Sequence, residues 1–286
     1  MNGTRTARPR PRKQQTGETG PLVIIGGAEE RAGACDILRT FVRLAGGRRA
    51  RLVVITTASQ TPTAAAEVYQ TTFGQLGVRD LRVLDVRTRA AAGSADALAA
   101  LERATGVFFT GGDQLRITRT LGGTKLDAAL HRRHAAGLAL AGTSAGAAMM
   151  SGIMIVSSQP VTSLRAGGVE LGPGMEFLRG VLIDQHFEER GRLRRLLSAV
   201  AQYPHELGLG IDENTAAVVV RQQQLEVIGA GAVTIIDAGG MTYPNPADIA
   251  RGELLAISGV RIHVLPAGYR FDLQTRTLLR PDGAGA

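Results

Sequence analysis

The chain has 286 residues, of which 44% are hydrophobic and 20% charged, so it is long and apolar enough to fold and is not an intrinsically disordered protein. Its one cysteine, Cys35, excludes an intramolecular disulfide. The formal net charge of +8 at pH 7 suggests a polyanion partner, but half of that charge lies within residues 1–20, where five basic residues accompany one acid.

The basic N-terminal stretch is rich in Pro and Arg, and we expect residues 1–20 to be a disordered extension, with weak polyanion contact as the alternative. It lacks the apolar run that follows the basic residues of a signal peptide. No apolar run approaches the roughly 18 residues of a membrane helix. We therefore expect a cytoplasmic protein with no membrane partner and no specific nucleic-acid partner. Residues 21–286 contain no evident linker, so we expect them to form a single domain.

The first half of the domain alternates short apolar runs with segments whose apolar residues recur at helical spacing. The predicted strands are Pro21–Ile25, Leu52–Ile55, Leu81–Val86, Val107–Thr110 and Leu138–Ala141. The predicted helices are Ala34–Leu44, Thr63–Leu76, Ser94–Arg103, Gln114–Leu121 and Leu126–Ala136. Strands that are apolar on both faces and alternate with helices indicate a mostly parallel sheet sandwiched by helices.

The second half has a different character. A strand over Gly180–Phe187 leads into a predicted helix from about Glu188 to Gln202. From Gly210 onward, short β runs are separated by turn residues: Thr215–Arg221, Leu225–Ile228, Thr234–Asp237 and Leu254–Val264. This pattern predicts an antiparallel C-terminal flank or lid on the same α/β domain.

Four polar or glycine-rich segments follow the predicted parallel strands. They are Gly26-Gly27, Thr56-Thr57, Gly111-Gly112-Asp113 and Gly142–Gly146. Ligand sites in open α/β sheets lie beyond the carboxyl ends of the strands, so we expect the functional site at this edge.

Gly142-Thr143-Ser144-Ala145-Gly146 fits the G-x-S-x-G pattern of a nucleophile elbow. The pattern needs a strand before the serine and a helix after it, and both are predicted here. The N-terminus of that helix also stabilises negative charge nearby. The alternative is a tight glycine turn with a helix-capping serine.

A nucleophilic serine needs a base, and the base needs an orienting acid. Of the five histidines, His131 and His134 lie in an Arg-rich helical segment and are expected to be solvated, whereas His186 ends a predicted strand at the active edge. Asp212 and Glu213 end another strand. Adjacent residues of a strand point to opposite faces, so one of these acids serves, and the residues alone leave the choice open.

The oxyanion formed during acyl transfer requires backbone N–H donors. Ala145, which follows the serine, is one expected donor. Gly112 and Asp113 are the candidates for the second, because glycine allows a close approach of the backbone. The alternative for Gly111-Gly112 is a simple turn.

Five blocks in order together resemble the cyanophycinases, serine peptidases related to aspartyl dipeptidase (peptidase E). The blocks are Val23–Glu29, Thr110–Gln114, Gly142–Ala147, Asp184–Phe187 with Arg190–Leu193, and Gly210–Thr215.

The resemblance implies a fold like that of class I glutamine amidotransferase domains and the hydrolysis of cyanophycin, a poly-aspartate bearing arginine on each β-carboxyl, to β-Asp-Arg dipeptides. It implies Ser144 as nucleophile, His186 as general base and Glu213, rather than Asp212, as the orienting acid. It also implies a homodimer. The positions that match the family's substrate pocket are Gln114, Asp184, Gln185, Arg190, Arg192 and Arg195.

Several other functions compete with this interpretation. A related exopeptidase that cuts after an N-terminal aspartate would share the catalytic residues and differ in its pocket. A phosphate-binding module would use Gly26-Gly27 and Gly111-Gly112, although neither loop has a G-x-G-x-x-G or Walker pattern. The arginines of residues 190–195 also fit an exposed basic helix face that binds nothing. No metal or cofactor is expected, because serine acyl chemistry needs none and no Cys/His cluster has ligand spacing.

Overall fold

The computed structural model describes residues 18–156, 164–241 and 250–279, and its first half is a parallel sheet with helices on both faces. Most of the predicted N-terminal extension, residues 1–17, lies outside the described residues. The five parallel strands are β1 (Leu22–Ile25), β2 (Arg51–Ile55), β3 (Asp80–Leu84), β4 (Gly106–Phe109) and β5 (Ala139–Thr143), in the spatial order β1-β5-β4-β2-β3. The helices are α1 (Asp36–Leu44), α2 (Pro62–Gln75), α3 (Ala95–Arg103), α4 (Gln114–Leu121), α5 (Lys125–Ala135), α6 (Ala145–Ala148) and α7 (Leu193–Gln202).

Alternate residues of each central strand enter different cores. On β1, Leu22 and Ile24 pack into one buried cluster, while Val23 and Ile25 pack into another on the opposite face. All four side chains are buried, which is why this strand reads as an uninterrupted apolar run. The prediction of a parallel sheet covered on both sides is confirmed.

The second half is divided between two sheets. Its strands are β6 (Ile153–Ile155), β7 (Leu171–Pro173), β8 (Val181–Gln185), β9 (Leu207–Ile211), β10 (Thr215–Val220), β11 (Gln224–Gly229), β12 (Ala232–Asp237), β13 (Arg261–Pro266), β14 (Arg270–Asp272) and β15 (Thr277–Leu279). Strands β10, β11, β14 and β15 extend the first sheet from β1 as antiparallel neighbours. Strands β8, β9, β12 and β13 form a second sheet, in which β8 and β9 are parallel. Strands β6 and β7 pair with each other. The predicted antiparallel flank is thus confirmed.

Two predicted elements begin at least five residues later than expected. Helix α7 starts at Leu193 rather than near Glu188, because Gly191 adopts a φ of 57°, which a right-handed helix does not accommodate. The strand predicted over Leu254–Val264 is β13, which starts at Arg261. No helix in the described part of the chain has the length and apolar character required to cross a membrane.

The two sheets meet where β1 and β8 end. The amide of His186, directly after β8, donates to the carbonyl of Gly26, directly after β1, at 2.8 Å. The amide of Asn214, in the turn between β9 and β10, donates to the carbonyl of Gly27, also at 2.8 Å. The loop after β1 therefore joins the carboxyl ends of both sheets at one place.

Candidate active site

Ser144 lies at a sharp turn between β5 and α6. Its backbone has φ 53° and ψ −112°, a conformation that costs a non-glycine residue energy and that persists only where surrounding contacts impose it. The amide of Ser144 donates to the carbonyl of Ile25 at 3.0 Å and holds the turn against β1.

The two glycines of the elbow allow α6 to pack tightly on the strand ends. A Cβ at Gly142 would lie 2.1 Å from the carbonyl oxygen of Gly146, and a Cβ at Gly146 would lie 2.4 Å from the carbonyl oxygen of Phe109. Both distances are too short for any side chain. The strand–turn–helix context required by the G-x-S-x-G pattern is therefore present around Ser144.

His186 places its ring against the serine. Its Nε2 lies 2.9 Å from Oγ of Ser144, and the side chain is only 11% exposed. Burial lowers the pKa of His186 below its ordinary value, and the nearby charges of Arg190 and Arg192 lower it further, against the opposing effect of Glu213. A neutral imidazole at neutral pH can accept a proton from a hydroxyl group.

The structure brings Glu213, and not Asp212, to the histidine. Glu213 Oε1 lies 2.5 Å from Nδ1 of His186. The carboxylate of Asp212 points elsewhere and accepts the amides of Glu188 at 3.2 Å and Ala232 at 2.9 Å. The two adjacent acids thus have different tasks, as expected for neighbours on an extended backbone.

The candidate oxyanion donors differ in their availability. The amide of Asp113 already donates to the carbonyl of Ala58 at 3.0 Å, and its carboxylate caps α4 by accepting the amide of Leu115 at 2.8 Å. Among the described residues, the amides of Ala145 and Gly112 have no such acceptor. This differs from the expectation that Asp113 contributes, and it leaves Ala145 and Gly112 as the two candidate donors.

Four of the six expected substrate-binding residues form a buried cluster behind His186. Arg195 forms a bidentate ion pair with Asp184, and Arg192 donates to Gln185 and to Asp184. Their exposed fractions are 1% for Asp184, 7% for Gln185, 8% for Arg192 and 5% for Arg195. Burial lowers the pKa of Arg192 to about 10, so it stays a cation at neutral pH. The guanidinium groups of Arg192 and Arg195 are therefore buried and bonded to other side chains of the protein. This differs from the expectation that they face the substrate.

The remaining two expected binding residues are more accessible. Arg190 is exposed beside His186, and Gln114 is half-buried with its amide donating to the carbonyl of Ile155 at 2.9 Å. The expectation of a solvated His134 is wrong: it is buried and bonded to the carbonyl of Leu138 at 3.0 Å and to Gln222 at 3.2 Å.

Sequence reasoning missed a second polar group beside the serine. Glu29 is 3% exposed and accepts hydroxyl hydrogen bonds from Tyr69 and Thr143. Glu29 directly follows Gly26-Gly27-Ala28, a loop already placed at the active edge, so its position carried a usable signal. Tyr69 lies in the middle of α2 and carried none, because its role depends on which face of that helix meets the loop.

The sequence profile of Peptidase family S51 matches residues 22–228, which contain the whole Ser144–His186–Glu213 arrangement. The chain belongs to this family. It is 40% identical over 255 residues to a protein named cyanophycinase from Geminocystis herdmanii, and the match covers 89% of this chain and 94% of that protein. It is 41% identical over 263 residues to another cyanophycinase from Synechococcus elongatus, with 92% and 82% covered.

Solved structures of similar fold are more distant in sequence. A crystal structure of a peptidase from an acI-B1 Actinobacterium superposes with a TM-score of 0.67 at 20% identity, covering 89% of this chain and 97% of the other. A putative peptidase E from Listeria monocytogenes EGD-e gives a TM-score of 0.55 at 17% identity, covering 74% of this chain and all of the other. At these identities the likeness concerns the fold alone.

Proposed function

We propose that this S51 peptidase hydrolyses cyanophycin to β-Asp-Arg dipeptides through an acyl-enzyme on Ser144. The observation that carries the proposal is the continuous hydrogen-bonded chain from Ser144 Oγ through the His186 imidazole to Glu213, with contacts of 2.9 and 2.5 Å. The cyanophycinase names of relatives at about 40% identity support the choice of substrate.

In the proposed mechanism, Oγ of Ser144 attacks the carbonyl carbon of an aspartyl residue in the polymer backbone while Nε2 of His186 takes the hydroxyl proton. Glu213 stabilises the imidazolium through Nδ1 and fixes the tautomer that leaves Nε2 free to accept. The imidazolium then protonates the departing backbone amine, and the peptide bond breaks. Water, deprotonated by the same imidazole, attacks the ester and releases the acyl product from Ser144.

The negative oxygen of each tetrahedral intermediate needs donors that are already in place. We assign this role to the amides of Ala145, the first residue of α6, and Gly112, which follows Gly111 in the loop after β4. A Cβ at Gly111 would lie 3.5 Å from Cβ of Ser144, so this loop runs next to the serine. Removal of one such donor in serine peptidases costs about 10²- to 10³-fold in kcat. The strained turn holds Ser144 at the N-terminus of α6, directly before Ala145.

We assign Arg190 and Gln114 to direct contact with the polymer, because Arg190 is exposed beside His186 and Gln114 is half-buried three residues after Gly111, which lies against Ser144. The Asp184, Gln185, Arg192 and Arg195 cluster supports the site from beneath, since Arg192 holds the carbonyl and the side chain of the residue that precedes His186. Its proposed role is to position the imidazole rather than to bind the substrate.

The test is the release of β-Asp-Arg from purified cyanophycin, followed by mass spectrometry. We expect dipeptide release by the wild-type enzyme and a loss of about 10⁶-fold in kcat for Ser144→Ala, as for loss of a nucleophile in other triads. A parallel assay with Asp-Xaa dipeptides examines the alternative. Hydrolysis of these dipeptides with no activity on cyanophycin would identify an aspartyl dipeptidase instead.

The resemblance also led us to expect a homodimer, and we keep it as a proposal. Edge strand β13 exposes Ile262 (48%) and Val264 (63%) on one face of the second sheet, an arrangement that supports self-association. Light scattering after size-exclusion chromatography measures the mass directly, and a mass near 30.0 kDa would refute the dimer. The cytoplasmic location likewise stays a prediction, which cell fractionation tests.

A further inference from the structure

A cavity of about 350 Å³ opens next to Ser144, and no residue of the Asp184 cluster lines it. It lies between the segment that follows β1, one face of α2, and the ends of β4 and β5. Ser144 and Gly111 form part of its wall, so a group bound there is within reach of the reacting centre. Neither the sequence motifs nor the proposed mechanism assigns a role to it.

The deep end of the cavity holds a carboxylate. Glu29 is 3% exposed, and its Oε1 accepts a hydrogen bond from the hydroxyl of Tyr69 at 2.6 Å, while Oε2 accepts from the hydroxyl of Thr143. Burial and the charge of Glu29 raise the pKa of Tyr69 well above its ordinary value, so the phenol remains a donor. Two lone-pair positions on the carboxylate stay available.

No cation among the described residues forms an ion pair with Glu29. A buried carboxylate without a counter-ion is costly, and it is usually paired or placed where a ligand supplies the charge. A second buried polar atom points to the same conclusion, because the hydroxyl oxygen of Thr110, which lines this cavity, has no hydrogen-bond partner in the described part of the chain. The deep end is therefore suited to a cation with several N–H donors.

The middle and the mouth of the cavity have different chemistry. Ala64, Ala65 and Val68 of α2 supply an apolar wall next to the ring of Tyr69. At the mouth, the guanidinium of Arg31 lies 6.0 Å from the centre of that ring and is exposed, without an acidic partner among the described residues. From its deep end to its mouth, the cavity is thus lined by the carboxylate of Glu29, then by an apolar section, and then by the guanidinium of Arg31.

We propose that this cavity binds the arginyl arm of the aspartyl–arginine unit, with its guanidinium on Glu29, its methylene stem along Tyr69 and Val68, and its free α-carboxylate on Arg31. The proposal rests on the function proposed above and names a subsite for it. An arginine linked through its α-amino group carries the complementary sequence of charges: a cation at the far end, an apolar stem, and a carboxylate near the amide. The planar guanidinium also suits bidentate pairing with a carboxylate.

Two variants, one control variant and three small ligands test the proposal. Nα-acetylarginine mimics the arm, Nα-acetylcitrulline lacks its cation, and Nα-acetylargininamide lacks its carboxylate. Binding is measured by calorimetry on the intact enzyme, so turnover is not required. We expect Glu29→Gln and Arg31→Gln each to weaken Nα-acetylarginine by about 10- to 100-fold, the range for a charged hydrogen bond. Glu67→Gln, an exposed neighbour of Tyr69 that does not line the cavity, is the matched control and should bind like the wild type.

Measuring each ligand against each variant shows which ligand group contacts Glu29 and which contacts Arg31. Glu29→Gln should leave the weaker binding of Nα-acetylcitrulline unchanged, and Arg31→Gln should leave that of Nα-acetylargininamide unchanged. Equal binding of Nα-acetylarginine to Glu29→Gln and Glu67→Gln would overturn the proposal, even with full activity on cyanophycin. If Glu29→Gln does not fold, the exposed Arg31→Gln and the wild-type preference for arginine over citrulline decide the matter. An enzyme that binds Nα-acetylarginine in this manner but releases no β-Asp-Arg would instead refute the proposed function alone.

Discussion

Replacement of Gly27 by alanine tests the link between the loop after β1 and the imidazole. Gly27 has a φ of 108°, and an added Cβ would lie 2.3 Å from Cε1 and 2.5 Å from Nε2 of His186. Non-bonded carbon atoms sit about 3.5 Å apart, so the ring must retreat by about 1.2 Å. Nε2 is itself one of the crowded atoms, so its 2.9 Å contact with Ser144 Oγ is lost in the variant.

The expected magnitude follows from that displacement. Misplacement of a catalytic group by about 1 Å costs about 10²-fold, and complete loss of a general base costs up to about 10⁴-fold, so kcat should fall within that interval. The positive φ adds about 1–3 kcal/mol of strain to the folded state. Cyanophycin hydrolysis and thermal unfolding should therefore both respond.

Gly77→Ala is a control that separates the loss of stability caused by the positive φ from the loss of activity caused by displacement of His186. Gly77 has a φ of 87°, but an added Cβ there would meet nothing within 4 Å. We expect this variant to lose a similar amount of stability and to keep wild-type kcat. A folded Gly27→Ala enzyme with wild-type turnover would show that His186 does not act from the position described here.

Three further predictions concern other parts of the molecule. As the pH is lowered, kcat/KM should fall with a midpoint below about 6.5, because the lowered pKa of His186 keeps the imidazole neutral to lower pH. Arg190→Gln removes a positive charge that disfavours the imidazolium, so it should move this midpoint upward, and an unchanged pH profile in that variant would contradict the prediction. Asp184→Asn removes the buried carboxylate that pairs with both Arg192 and Arg195, and it should cost about 3–5 kcal/mol in denaturant unfolding. Glu102→Gln, at an exposed pair, should cost about 0–1 kcal/mol, and equal losses would refute the distinction. Deletion of residues 1–17 should leave the specific activity on cyanophycin unchanged, and a large loss would place that segment in the site.

Local sequence patterns were sufficient for the strands and helices of the first half. The central strands β1, β2, β4 and β5 are buried on both faces, so their composition alone marks them. The three-residue strands β6, β7, β14 and β15 were missed because they are too short to show a periodic pattern. Strand β13 was misplaced because it is an exposed edge strand without an apolar run. Helix α7 began late for a local reason that the apolar spacing concealed, the left-handed Gly191.

The sequence by itself determined the fold class and the strand–turn–helix elbow that holds Ser144, because the glycines of the elbow and its flanking strand and helix are contiguous in the chain. Only the tertiary structure decided which acid faces His186, which backbone amides stay available, and which arginines are buried. Each of these depends on how segments far apart in the chain pack together. Glu29 is a further example. Its position directly after the β1 loop can be read from the sequence, but the cavity that it lines forms only because α2 packs against that loop.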